Sequence, residues 1–393
     1  MHTFVFLSTT DWDAPQFGSR QQIALRLARR GHRVLFVNVP RALHSLLSDP
    51  AAARRSLRRM GRLSPPTEMP GLDGRLLVYT PRPVLPIYYH PWTNAANQAL
   101  LARDLRGALA RAGWQPDILW TYWANSGRLV GRLGERLAVY HCIDDFTALR
   151  YPLAGPDAIP KLEADLCRRV DLVVARTEAL AEAKRRYNPN TLYLPGGVDP
   201  ALFDPARPYP QPAALASVPH PRAGFLGTLD DRIDVPLLAG CARRLPAVSF
   251  VLVGPVKRHL IDLPPLQSLP NVYFAPACAH ESAPAYVAAF DVCLIPYRIN
   301  RYTQGLSPLK LYEYLAMEKA VVAANLPYLA READKIRMAA DAEGFADAIC
   351  AALDHPPTAD ERRRLRAAAA SFSWDAQVDT IEAQVARLLE QRP

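Results

Sequence analysis

The 393-residue chain has no C-x-x-C pair, although it holds six cysteines (Cys142, Cys167, Cys241, Cys278, Cys293 and Cys350). Thiols this far apart, some inside apolar runs such as DVCLIPY, argue against a disulfide framework or a structural zinc site. They read instead as buried free thiols in a reducing compartment. No stretch of 18 apolar residues occurs, so no membrane-spanning helix is expected. The opening MHTFVFLSTTDWD lacks a basic n-region and reads as a first strand rather than an export signal, so a cytosolic location is expected. The absence of a G-x-G-x-x-G fingerprint leaves nicotinamide dinucleotide binding without support, and no cofactor is expected. Acid is scarce: 38 Asp and Glu face 47 Lys and Arg, a net charge of +9. Such a balance favours anionic partners, whether nucleotides, phospholipid head groups or nucleic acid. The 37 prolines follow no period, which excludes a collagen-like or low-complexity chain.

What is present is apolar material in quantity: 50% of the residues are hydrophobic. That can fill large cores, and the length exceeds what one core organises, so two domains of roughly 200 residues are expected. TFVFLS, a helical stretch through Ile23, Leu25, Leu27 and Ala28 closed by Gly31, and RVLFVNVP together describe a βαβ unit. The rhythm continues through DILWTYW, LAVYHCID, DLVVART with the helical EALAEAKRRY, and LYLPGGVD. Residues 200–222 hold seven prolines and read as a linker or its edge. A second series then begins: RAGFLGTL, SFVLVGPV, NVYFAPA, DVCLIPY and KAVVAAN, with helices between them. The fold class expected is α/β, two doubly wound Rossmann-like domains over 1–200 and 201–373, with a closing helix over 374–393. In such sheets the working loops follow the carboxyl ends of the strands, lining a cleft.

Five strand ends stand out. In GTLDDRID, Gly227 makes a turn and Arg232 suits a phosphate, or else pairs with Asp230, Asp231 or Asp234. In TQGLSPLKLYEYLAME, Ser307 and Pro308 form a helix-start signature, and amides near Gly305 and Leu306 can hold an anion. Lys310 and Glu313 share a helix face there, the lysine for phosphate and the carboxylate for a sugar diol, or the two as an i,i+3 ion pair. In VYHCIDDF, His141 leaves a buried strand as a donor to phosphate or sugar, or as a core histidine; Asp144 and Asp145 are site acids or caps. Gly18 and Ser19 open a helix after the first strand, where their amides approach a ligand. Gly254 in VGPV passes under a flat base or makes a plain turn. Separately, Arg54, Arg58 and Arg62 recur at i,i+4 in AAARRSLRRMGRL, a face for an anionic membrane surface or simply for solvent. No nucleic-acid motif or aromatic platform accompanies them, so no nucleic-acid partner is expected.

The ordered series HCIDDF, DLVVARTEAL, LYLPGGVDPALF, FLGTLDDRID, FVLVGP, NVYFAP, DVCLIPY and SPLKLYEYLAMEKAVV resembles the retaining nucleotide-sugar glycosyltransferases of GT-B fold. The likeness is to glycosyltransferase family four and its surface-polysaccharide, teichuronic-acid-type branch. It covers nearly the whole chain and is densest over 139–325. The resemblance implies that the second domain binds a nucleoside-diphosphate sugar and the first a glycan or lipid-linked acceptor. It implies that Glu313, the second acid of an E-x7-E motif, holds the donor ribose. Arg232 falls beside the diphosphate, His141 near the transferred sugar, and Gly18 with Ser19 in the first glycine loop. His141, Arg232 and Lys310 are thereby the expected catalytic residues. Gly18, Ser19, Gly227, Gly254, Gly305, Leu306, Ser307 and Glu313 are the expected donor contacts, and no metal ligand is expected. The chain departs from the pattern at Gly305, where the first acid is usual, and at Gly196, where an asparagine is usual. No lysine follows Arg232 before Pro236; Lys310 is the candidate to replace it. Non-catalytic binding of a sugar nucleotide, and epimerase or hydrolase chemistry, remain the alternatives.

Overall fold

The computed structural model describes residues 1–14, 17–40, 65–85, 89–148, 155 and 157–391. Its contacts divide the chain into two units, Met1–Pro195 with Gln377–Pro393, and Gly196–Ala376. The basic stretch with Arg54, Arg58 and Arg62 lies outside the described residues.

The first unit holds strands β1 (Thr3–Leu7), β2 (Arg33–Val37), β3 (Thr67–Glu68), β4 (Leu76–Tyr79), β5 (Ile118–Thr121), β6 (Leu137–Cys142), β7 (Leu172–Ala175) and β8 (Thr191–Tyr193). They lie in the order β3-β4-β2-β1-β5-β6-β7-β8. The described pairings are parallel apart from the short antiparallel β3–β4 contact. Crossovers include α1 (Ser19–Arg29), α2 (Pro91–Ala112), α3 (Ala158–Arg169) and α4 (Glu178–Arg185). Strand β1 is buried along its whole length, as a parallel sheet covered on both faces requires. Phe6 stacks on Trp120 at 5.6 Å, fastening β1 to β5 through their side chains as well as their ladder. Helix α1 stops where the expected signal stands: Gly31 has φ +93°, and its N–H donates to Ala28.

The second unit repeats the plan with β9 (Arg222–Leu226), β10 (Ser249–Val253), β11 (Val272–Ala275), β12 (Val292–Ile295), β13 (Ala320–Ala324) and β14 (Arg337–Ala339). Their order is β11-β10-β9-β12-β13-β14, with parallel pairing throughout. Its helices are α5 (Val235–Arg244), α6 (Pro264–Gln267), α7 (Ala283–Ala288), α8 (Arg301–Gln304), α9 (Leu309–Ala316), α10 (Ala342–Asp354) and α11 (Ala359–Ala370). A last helix, α12 (Trp374–Glu390), starts in this unit and ends in the first.

The proline-rich stretch 200–222 is not a free linker. Phe203, Leu215 and Val218 are buried in the second core, and Arg222 begins β9. Its prolines remove helical pattern, but three apolar anchors bind the segment to the core. Strand order reverses between β2-β1 and β5 in one sheet, and between β10-β9 and β12 in the other. In open α/β sheets such switch points, beyond the carboxyl ends of the strands, are where ligands bind.

Candidate functional site

At the switch point of the second unit two glycines interlock. Gly227 (φ +153°) and Gly254 (φ +141°) follow β9 and β10, each in a backbone conformation that side chains rarely adopt. A Cβ on Gly254 would lie 2.1 Å from the Gly227 carbonyl oxygen, so the two turns pass too closely for any other residue. Above Gly227 sits Lys310: a Cβ on that glycine would meet Nζ at 3.2 Å. The ammonium lies 4.7 Å from the ring centres of both Phe225 and Tyr297, and it donates to the Tyr297 hydroxyl.

Arg232 approaches the same ring from its own loop, 5.7 Å from the Tyr297 centroid. Its fork is already held by Asp230, with Nε to Oδ1 at 2.8 Å and Nη2 to Oδ2 at 2.6 Å. Burial works against the charge, but the hydrogen bond to Asp230 prevails and keeps the guanidinium protonated far above neutral pH. The ion pair foreseen among the neighbouring aspartates is therefore present. It also fixes the arginine beside Lys310 and Tyr297, so the residue is both paired and placed.

The helix start nearby corrects one expectation. Ser307 is not the cap of α9 and Pro308 is not its first turn: Pro308 is itself the N-cap residue, at φ −69° and ψ 112°. The ring fixes φ but leaves ψ extended, which shifts the helix one residue on and carries the serine hydroxyl away from the capping position. Ser307 Oγ is instead buried with no hydrogen-bond partner among the described residues, and Gly305 is the C-cap residue of the short helix α8. Leu306 is buried and Gly305 is partly exposed. In the first turn of α9 the Leu311 amide donates to the Pro308 carbonyl at 3.1 Å, while a helix start leaves its leading amides without intrahelical acceptors.

Glu313 retains some solvent-exposed surface, yet its carboxyl is ringed by protein. Burial pushes it up to about 7, an effect the Lys310 charge only partly offsets. Lys310 is spent on Tyr297 rather than on an i,i+3 ion pair with Glu313. Gly196 has its own reason: a Cβ there would stand 2.1 Å from Leu309 Cδ2, at the opening of α9.

The remaining candidates belong to the first unit. His141 does not leave its strand; it lies within β6 and is 3% exposed. Its ring stacks on Tyr122 at 4.9 Å and meets Trp120 edge-on at 5.7 Å. Burial, followed by the charges of Arg176 and Arg20, holds it well below its ordinary pKa, so it is a neutral imidazole. Gly18 is the N-cap residue of α1 and provides no side-chain cap, while Ser19 Oγ accepts from Arg176 Nη2 at 2.7 Å. Asp145 caps the turn that follows β6, accepting from the Thr147 amide at 3.0 Å. Tyr297, Tyr122 and Arg176 were missed in the sequence. All three lie within two residues of apolar strand ends, in LIPY, LWTY and LVVAR, and a search of strand ends for aromatic and basic residues finds them.

A family model described as glycosyl transferases group 1 matches residues 220–355, the stretch that carries Gly227, Arg232, Gly254, Tyr297, Lys310 and Glu313. These residues form a group 1 glycosyl transferase domain. The Bacillus subtilis (strain 168) protein named for teichuronic acid biosynthesis, the glycosyltransferase TuaH, is 31% identical over 132 residues. That match spans 33% of the present chain and 33% of the length of the relative. Sucrose-phosphate synthase of Thermosynechococcus elongatus aligns over 100% of both chains with a TM-score of 0.71 at 17% identity. Anabaena HepE, solved with UDP-glucose, gives 0.64 at 16% identity over 100% of each chain. The trehalose-6-phosphate protein of E. coli, bound with UDP-2-fluoro glucose, gives 0.68 at 13% identity over 98% of each. The chain thus has the GT-B fold, and the group 1 glycosyl transferase domain is its second α/β unit. No helix among the described residues is long and apolar enough to cross a membrane.

Proposed function

We propose that the chain transfers a sugar from a nucleoside-diphosphate donor, held by the second unit, to a glycan or lipid-linked acceptor, held by the first. The observation that carries this reading is the grouping of Lys310, Tyr297 and Arg232 over the Gly227 turn, at the switch point of a group 1 glycosyl transferase domain. Glycosyl transfer gathers negative charge on the departing diphosphate, and two cations with the exposed amides of a helix start offset such charge. Lys310, Arg232 and the opening of α9 supply these without calling on a divalent cation. Glu313, as carboxylate, accepts from the ribose hydroxyls. In this reading the anomeric configuration is retained, with the leaving phosphate taking the acceptor proton on the face from which it departs. The teichuronic-acid relative directs the acceptor towards cell-surface polysaccharide, and the UDP-bound neighbours make uridine diphosphate sugars the first donors to test.

A panel of nucleotide sugars in thermal-shift measurements tests the reading. One base class is expected to raise Tm by several degrees, with the shift unchanged by a chelator. A panel in which no nucleotide sugar stabilises the protein contradicts it. Binding without transfer is the competing reading, favoured by Gly305 in the place of an acid and by the prior claim of Asp230 on Arg232. Stabilisation by a donor together with an absence of labelled product in membrane extracts would select it.

A further inference from the structure

We propose that the first unit contains a pocket for an anionic group of the acceptor, a phosphate or a carboxylate, built by Arg176, Arg20, His141, Ser19 and the opening of α1. The inference rests on the acceptor-binding role assigned above to that unit and goes further by naming the charge of the acceptor. Arg176 is 8% exposed, and its guanidinium has one hydrogen bond among the described residues, to Ser19 Oγ at 2.7 Å. A buried arginine is ordinarily matched by a carboxylate, as Lys184 is by Glu163 at 2.6 Å elsewhere in the same unit. Here a neutral hydroxyl stands in that place, and the charge is left to be matched by something that enters.

Three further groups converge on the same point. Ser19 is the first residue of α1, an 11-residue helix with no acidic side chain in its first turn and no side-chain hydrogen bond from its N-cap residue. Tyr122 packs between Arg20, whose Cζ lies 5.4 Å from its ring centre, and His141 at 4.9 Å. His141 is 97% buried, and its Nδ1 has no hydrogen-bond partner among the described residues, an arrangement that calls for a ligand or a water. Two arginines and an imidazole with an unmatched nitrogen, gathered around a neutral hydroxyl, match a group with several acceptor oxygens and negative charge. The diphosphate of the donor already has its cations in the second unit, which leaves this pocket to the acceptor.

Thermal shift and direct titration of the full chain with inorganic phosphate test the assignment, with and without saturating UDP. Wild type is expected to gain stability from phosphate in both conditions. Arg176→Gln should bind phosphate about 10–100-fold more weakly, the effect of losing a hydrogen bond to a charged group. Arg20→Gln, at a partly exposed position, gives a second reading should the buried substitution impair folding. Phosphate affinity unchanged in both variants overturns the proposal. A phosphate effect that disappears once UDP is bound also overturns it, because the pocket would then belong to the donor. Failure of UDP itself to bind contradicts the donor reading while leaving the comparison between wild type and Arg176→Gln intact.

Discussion

Two aromatic residues define what Lys310 can do, Phe225 by its ring face and Tyr297 by its ring face and hydroxyl, and among the described residues no carboxylate forms an ion pair with it. A cation so placed can face an oxyanion that enters over the Gly227 turn. Lys310→Met is therefore expected to lower turnover about 10²–10³-fold with little change in Tm; steady-state kinetics beside a melting curve check both parts. Glu313 allows a prediction in pH. Its folded carboxyl titrates at about 7 against an ordinary 4.5, so its contribution to stability is fully present below 4.5 and is lost as pH rises through 7. Ribose hydroxyls donate to the ionised form, so donor binding releases a proton, and UDP affinity falls as pH drops from 8 towards 6. Glu313→Gln should bind weakly with a flat profile. Calorimetry in two buffers of different ionisation enthalpy measures the proton released. Neither the lysine's aromatic seat nor the raised carboxyl is visible in the sequence, since both arise from residues far apart in the chain that the sheet brings together. The residue types and their strand-end positions were visible, which is why Lys310, Arg232 and Glu313 could be named.

The strand ends depend on two glycines at the scale of elements. Gly254→Ala puts a methyl group 2.1 Å from a carbonyl oxygen and forces φ of +141° on an L residue. A cost of about 1–3 kcal/mol is expected from the backbone alone, with the collision added to it. Thermal unfolding should show Gly254→Ala lower in Tm, whereas Gly18→Ala, with open space around its Cβ and no left-handed φ, should leave Tm nearly unchanged. The strands themselves were legible because both faces of a parallel sheet are covered, making each a short apolar run. The start of α9 was misread because Ser-Pro is a cap signature only when proline continues into helical ψ, and at Pro308 it does not. The segment 200–222 was misread for a related reason: composition records the prolines but not the three side chains that bury the chain between them.

At the scale of the whole molecule, α12 begins in the second unit and belongs to the first from Gln377 onward. Val378, Ile381, Val385, Leu388 and Leu389 are buried, and Glu382 meets Arg30 at 2.6 Å and His32 at 2.8 Å within the first unit. Each apolar side chain contributes about 1.5–3 kcal/mol by burial, so truncation after Ala376 removes a large part of the stability of a domain. The shortened chain is expected to aggregate or to lose the unfolding transition of the first unit in calorimetry. An unchanged melting profile would show the helix to be dispensable. The two-sheet plan was readable from the alternation of strands and helices. The closing helix over 374–393 was readable as a helix, but which unit it joins is not written in its own pattern. The claim on which the function rests is that the diphosphate of the donor is held by Lys310, Arg232 and the opening of α9. Titrating the protein with uridine and with UDP, in wild type and in Lys310→Met, tests this most directly. The account predicts that UDP binds wild type far more tightly than uridine and that Lys310→Met removes most of the difference while leaving uridine binding intact; equal gains from the diphosphate in both proteins would contradict it.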